Sequence, residues 1–146
     1  MKMLSSLANC ILKIESGVRT SNRPEDRIIG EKMLAYLAPI LAASELTIVE
    51  LKDFHGFERL VGHSFLIDPA PFGTFYADWK NFRDQCERTV VAGMTVNERL
   101  FALGFLDDFE RGLDLEEWDE CRSILRRAHL DESNIEAIIK HHKKEG

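Results

Sequence analysis

Apolar side chains recur at helical spacing along most of this chain. Between residues 74 and 91 they fall at i, i+4, i+7 and i+11, and residues at these steps share one face of an α-helix. Comparable stripes run through several other segments. The four clearest are Phe75, Trp79, Phe82 and Cys86; Leu4, Leu7, Ile11 and Ile14; Ile29, Met33, Leu37 and Ile40; and Ile135, Ile138 and Ile139. The pattern predicts an all-α fold, an irregular bundle of about six to seven helices.

Glycine and proline positions suggest where these helices end. We expect Gly17 to end the first helix, and Gly112 to end a long apolar helix that follows Thr95. Thr95 and Glu98 have the spacing of a capping box, which marks the start of that helix. Pro39 lies inside the second stripe, and we expect it to kink or end the helix because proline lacks a backbone N–H.

Residues 44–72 are the segment that the pattern leaves uncertain. The run Leu46–Val49 contains β-branched residues, whereas Ser44 before Glu45 resembles a helix cap. We favour a short helix from Glu45 to about Phe54, with Gly56 breaking the run, but an α+β arrangement remains open.

Length and composition fit one globular domain. The chain has 146 residues, of which 45% are hydrophobic and 30% are charged. We expect a single helical domain over residues 1–146, in which residues 94–146 are a candidate C-terminal three-helix subdomain. The cysteines Cys10, Cys86 and Cys121 are too few and too far apart for a disulfide framework or a metal site. A reducing, cytoplasmic location is therefore expected, with no metal and no cofactor.

Neither a membrane span, a targeting signal nor a nucleic-acid partner is expected. The longest apolar run, Met33 to Ala43, is much shorter than the roughly 20 residues that span a bilayer, and Met1 to Glu15 is interpreted as an amphipathic helix rather than a targeting signal. The formal net charge of −6 argues against a protein that holds nucleic acid through its phosphates.

The negative charge is concentrated in one short stretch. Residues 94–120 carry a net charge of −7, while the rest of the chain is close to neutral. A cluster of this kind attracts cationic partners and accelerates their association, although a solvated helix face explains it equally simply. The candidate partner-binding residues are Asp107, Asp108, Glu110, Asp114, Glu116, Glu117, Asp119 and Glu120. Trp118 lies among them as a candidate aromatic anchor, or as a core residue with Cys121 and Leu125.

The same part of the chain resembles a group of short bacterial proteins. The residues that carry the resemblance are Met94–Phe101, which read MTVNERLF, and Gly104–Phe109, which read GFLDDF, followed by an acidic helix. Those bacterial proteins begin with a similar MTVNERL stretch, continue with GLxDxFD, and finish with two further helices. The resemblance covers about the last third of the chain. It implies an association with toxin–antitoxin or toxin-immunity systems, and it transfers no site residue.

Two other motifs have plainer explanations than catalysis or metal binding. Gly62-His63-Ser64 resembles a nucleophile elbow, but Leu66 stands where the second glycine is needed, so Ser64 is interpreted as a turn or cap residue. His55, Glu58 and His63 do not have the spacing of a metal-binding helix, and they are interpreted as surface or core-edge residues.

Two further charged stretches have similar explanations. A calcium loop from Asp107 to Trp118 is excluded, because Phe109 and Arg111 occupy ligand positions and Trp118 stands where glutamate is required. The basic run from His141 to Lys144 is interpreted as a solvated end that complements its helix C-terminus.

Three classes of function follow. The first is a non-enzymatic immunity or antidote protein, a monomer or homodimer, whose acidic cluster blocks a basic toxin or nuclease. The second is a helical adaptor or dimerising regulatory module. The third is a small enzyme or metal-binding protein that uses the segment 55–68, with Asp68 among its candidate residues.

Overall fold

The computed structural model describes residues 2–43, 51–64 and 71–145. Within these ranges every regular element is a helix and no strand occurs, so the all-α class is confirmed. The segments 44–50 and 65–70, which include most of the predicted Glu45–Phe54 helix and Asp68, lie outside the described residues. The eight helices are α1 (Lys2–Thr20), α2 (Pro24–Ala42), α3 (Leu51–Ser64), α4 (Phe75–Val91), α5 (Val96–Leu103), α6 (Leu106–Asp114), α7 (Trp118–Arg127) and α8 (Glu132–Glu145).

The chain forms two compact units. The first, Met1–Val90, contains α1 to α3 and nearly all of α4, and the second, Val91–Gly146, contains α5 to α8. The segment 94–146, expected to hold three helices, lies in the second unit and forms four. No helix in the described part of the chain is long and apolar enough to cross a membrane.

Aromatic side chains from α3 and α4 form a cluster in the core of the first unit. Phe57 and Phe54 lie against Trp79, with ring centroids 4.5 and 5.2 Å away, and Phe82 closes the cluster at 5.9 Å from Trp79. All four rings are essentially fully buried. The predicted stripe of Phe75, Trp79, Phe82 and Cys86 is therefore confirmed as the inner face of α4.

Two glycines predicted to interrupt helices lie inside them instead. α1 continues past Gly17 to Thr20, and α3 continues through Gly56. A Cβ atom at Gly17 would lie 2.3 Å from Cδ1 of Phe72, and one at Gly56 would lie 2.8 Å from Cε1 of Tyr36. These glycines are needed for close packing, which the sequence pattern does not distinguish from a helix stop.

Pro39 does not end its helix. α2 extends to Ala42, and its buried residues include Ile40, the residue after the proline. Pro39 itself is exposed and lies within the last turn. The proline removes the hydrogen bond that a backbone N–H at this position would donate to the Ala35 carbonyl, while Ile40 remains in the core.

The second unit contains the helix that sequence analysis did not separate. α5 begins with the predicted capping box, in which Thr95 Oγ1 accepts from the Glu98 N–H and the Glu98 side chain accepts from the Thr95 N–H. It ends at Gly104, whose φ of 80° is left-handed, so α5 and α6 are two helices rather than one. Gly112 lies inside α6, where a Cβ atom would come within 2.9 Å of the Cys121 sulfur.

Candidate functional site

The eight candidate carboxylates occupy two helices and the turn that joins them. Four lie on α6, two lie in the turn, and two lie in the first turn of α7. All eight side chains are exposed. We call this set the acidic surface: Asp107, Asp108, Glu110 and Asp114 on α6, Glu116 and Glu117 in the turn, and Asp119 and Glu120 on α7.

One group of these carboxylates forms a stripe along α6. Asp107, Glu110 and Asp114 are spaced at i, i+3 and i+7, which places them on one face of the helix. The opposite face carries Phe109 and Gly112, which are buried. Packing of α6 into the second unit therefore directs this stripe to solvent.

Most of the acidic surface is not neutralised by the chain's own cations. Arg111 binds Asp108 at 2.7 Å, and Arg122 binds Asp119 at 3.0 Å. Within the described residues, no ion pair forms at the remaining six carboxylates. These six are Asp107, Glu110, Asp114, Glu116, Glu117 and Glu120.

Three neighbouring arginines bind groups outside the acidic surface. Arg126 binds Glu132 at 2.5 Å, and Arg99 donates to the backbone carbonyl of His129 at 3.2 Å. The Arg127 guanidinium lies 5.4 Å from the centre of the Phe105 ring. These contacts join the helices of the second unit to one another and leave the acidic surface largely uncompensated.

The carboxylates near the turn affect the pKa of a buried cysteine in the same unit. Burial raises the pKa of the Cys121 thiol, and the charges of Glu117 and Glu120 raise it further. A raised pKa favours the protonated thiol, which is the less reactive form of cysteine. Burial also raises the pKa of Cys10 and of Cys86 to about 12.

The turn between α6 and α7 holds a glutamate in a backbone conformation that favours glycine. Glu116 has a φ of 53°. Its N–H donates to the Leu113 carbonyl at 3.1 Å, and the Glu117 N–H donates to the Gly112 carbonyl at 2.9 Å. These two bonds define a Schellman motif, in which the left-handed position is usually glycine. A carboxylate therefore stands at the turn at a cost in backbone strain.

Replacing Glu116 by glycine should stabilise the second unit. We expect Glu116→Gly to raise the free energy of unfolding by about 1 kcal/mol, because glycine adopts a left-handed φ without a Cβ clash. Urea denaturation followed by circular dichroism measures the change. Glu117→Gly is the matched control, since Glu117 has a φ of −87°. It should leave stability unchanged or slightly lower, and an equal gain in both variants would contradict the strain argument.

The turn and the start of α7 border an open depression of about 500 Å³. Its lining residues are Glu116, Glu117, Trp118, Asp119, Glu120, Arg122 and Lys143. Trp118 is half-buried, and the Lys143 ammonium lies 5.6 Å from the centre of its ring. Trp118 is thus neither a fully buried core residue nor a fully exposed anchor, and its ring lines the depression.

A second cavity of the same unit has a different chemistry. It measures about 670 Å³ and lies between the start of α5 and α8. Its lining combines apolar residues, among them Val96, Phe109, Leu130 and Ile138, with neutral polar residues, two histidines and Arg99. It shares no lining residue with the acidic depression.

In the first unit, the segment 55–68 does not present Glu58 as a free ligand. Glu58 accepts hydrogen bonds from the Tyr76 hydroxyl at 2.7 Å and the Trp79 indole at 2.8 Å, and it pairs with Arg83. Burial raises the pKa of Glu58, but the hydrogen bonds from Trp79, Arg83 and Tyr76 outweigh it, so the pKa is lowered. Its carboxylate is occupied by structural contacts that sequence analysis missed.

Of the other candidate residues of that segment, Asp68 and the side chains of His63 and Ser64 lie outside the described residues. His55 is half-buried on α3, and Ser64 is the last residue of the same helix. A nucleophile elbow requires a turn from a strand into a helix, and Ser64 instead ends a continuous helix that contains Gly62. The interpretation of Ser64 as a turn or cap residue stays a prediction.

Comparison of the chain with known protein families, with curated protein sequences and with solved structures finds no match.

Proposed function

We propose that this chain is a non-enzymatic binding protein whose acidic surface docks a basic protein. The most concrete form of the proposal is an immunity or antidote protein that covers the cationic active-site groove of a toxin or nuclease. A groove that binds nucleic acid is lined with lysine and arginine, so an acidic surface is its electrostatic complement.

The observation that carries the proposal is the set of six exposed carboxylates without an ion pair among the described residues. Like charges held close together repel each other and weaken the fold, whereas a cationic partner converts the same charges into attraction. The resemblance of residues 94–109 to bacterial proteins from toxin-associated systems points to the same class of partner. The glutamate held at the strained position 116 adds to the argument.

A capture experiment with matched baits tests the proposal. We expect the wild-type chain to retain a basic protein from extracts of its own cells. A bait carrying Glu110→Lys and Asp114→Lys should fail to retain it, because both substitutions reverse charge on the α6 stripe. The control bait carries Glu15→Lys and Glu31→Lys, which change the net charge equally at exposed positions of the first unit.

Three outcomes of the same capture experiment would contradict the proposal. A protein retained equally by all three baits does not dock on the acidic surface. A protein lost from both variant baits responds to overall charge rather than to a surface. A retained acidic protein would also contradict the proposal, because its charge would be repelled by the acidic surface.

A dimerising adaptor is a second candidate, because the first unit exposes large apolar side chains. Leu12 on α1 and Ile28 on α2 are 58% and 55% exposed. Exposed apolar groups of this size are frequent where copies of a chain associate. Sedimentation over a hundredfold range of concentration distinguishes a monomer from a dimer.

A further inference from the structure

The depression beside Trp118 combines an aromatic face with a carboxylate rim. Its carboxylates are Glu116, Glu117, Asp119 and Glu120, and Trp118 provides a ring on which a cation can rest. The face of an indole attracts ammonium and guanidinium groups, and carboxylates at its edge add charge-assisted hydrogen bonds. This is the chemistry that binds a lysine or arginine side chain.

The depression remains negative after its own cations are counted. Arg122 is shared between Asp119 and Glu136, at 3.0 and 2.8 Å. The Lys143 ammonium forms no ion pair with a carboxylate of the described residues and lies over the Trp118 ring. One ammonium therefore faces the three remaining carboxylates of the depression.

The geometry favours an organic cation over a metal ion. A metal ion needs three or more ligand atoms that converge on one point. Among the described residues, the oxygen atoms of these four carboxylates do not converge in that way. A flat ring beside spread carboxylates instead suits an elongated, delocalised or alkylated cation.

Lys143 already holds the place of such a cation. It lies on the last turn of α8 and is exposed, so its long side chain can leave the ring without disturbing the helix. An exposed cation–π contact is weak enough to exchange with an incoming side chain.

We propose that this depression is a subsite for a lysine or arginine side chain of a cationic partner, and that Lys143 occupies it until the partner displaces it. The inference rests on the proposed function, which it deepens by naming the contact group and an internal competitor. It follows that removing Lys143 strengthens binding at this position.

The test uses an acetylated and amidated tetralysine peptide, titrated into the ¹⁵N-labelled full chain and followed by NMR. The chain has two tryptophans, so the indole signal of Trp118 is read against that of buried Trp79. We expect the peptide to shift the Trp118 signal and to leave the Trp79 signal in place. Lys143→Ala should bind the peptide about two- to fivefold more tightly than Lys144→Ala.

Lys144→Ala is the matched control because it removes the same charge from the neighbouring residue, which does not line the depression. Equal affinities in the two variants would overturn the subsite, because general electrostatics would then explain the gain. A silent Trp118 signal would also overturn it. If the backbone amides of Asp107, Glu110 and Asp114 still respond to the peptide, the acidic surface stands and only the subsite fails. If they do not respond, both proposals fail.

Discussion

Replacing Glu58 by alanine should lower the free energy of unfolding by about 3 kcal/mol, because the substitution removes one of the two carboxylates that pair with the buried Arg83. The Arg83 side chain is 7% exposed and pairs with Glu58 and with Asp84. Loss of Glu58 also removes the acceptor of the Trp79 indole and of the Tyr76 hydroxyl. A buried donor without an acceptor costs about as much as a lost hydrogen bond or more.

Urea denaturation measures this loss, and two further variants show its origin. Asp53→Ala removes a carboxylate from the same helix at an exposed position, so it should cost less than about 1 kcal/mol. Arg83→Met removes the buried charge itself. The combined Glu58→Ala and Arg83→Met variant should therefore lose less stability than the two single changes added together. Additive losses would show that the ion pair does not couple these residues.

Acid provides a separate test of the same network. The folded state lowers the pKa of Glu58, so the charged form is favoured by folding. Its contribution is therefore fully present above the unfolded-state pKa of about 4.3, and it is lost as the pH falls through the folded-state value. We expect the wild-type chain to lose stability more steeply than Glu58→Gln below about pH 4.3. Parallel pH profiles would contradict this assignment.

The helical class and the inner faces could be predicted because they depend on local periodicity. The capping box at Thr95 and Glu98 and the stripe on α4 depend on residues within one helix, and both are confirmed. The network at Glu58 was missed because its donors come from another helix. Tyr76, Trp79 and Arg83 are spaced at i, i+3 and i+7, so a stripe of polar-tipped side chains was visible in the sequence. The acceptor of these side chains, Glu58 on α3, could not be identified from the sequence.

The prediction that glycines end or interrupt helices was wrong for a related reason. The sequence shows that Gly17 and Gly112 lack a side chain, but it does not show that Phe72 and Cys121 occupy the space. Conversely, Glu116 and His129 adopt left-handed conformations with φ values of 53° and 66°. Neither residue is a glycine, so the sequence did not indicate these conformations. Both follow a helix end, where backbone hydrogen bonds back to the preceding helix, such as Glu117 N–H to the Gly112 carbonyl and Leu130 N–H to the Leu125 carbonyl, accompany the left-handed residue. Long-range packing therefore explains the glycines, whereas the left-handed residues belong to helix-end motifs that the residue types alone did not mark.

Reversal of two carboxylates on the α6 stripe should slow the association of a captured basic partner about 10- to 100-fold at low ionic strength. The variant is Glu110→Lys with Asp114→Lys, two exposed residues without an ion pair in the described structure. Attraction between opposite charges raises the rate of productive encounters, so the effect should fall mainly on the association rate. Stopped-flow or surface-based kinetics measures that rate.

Salt dependence and a charge-matched control show whether the lower association rate is caused by the loss of charge on the acidic surface. At about 1 M salt the screening length falls to roughly 3 Å, so the wild-type and reversed chains should associate at similar rates. Glu15→Lys with Glu31→Lys changes the net charge by the same amount on the first unit, and should alter the rate less than about threefold. If both double variants slow association equally, the partner responds to overall charge. If the wild-type rate does not depend on salt, steering by these carboxylates is excluded.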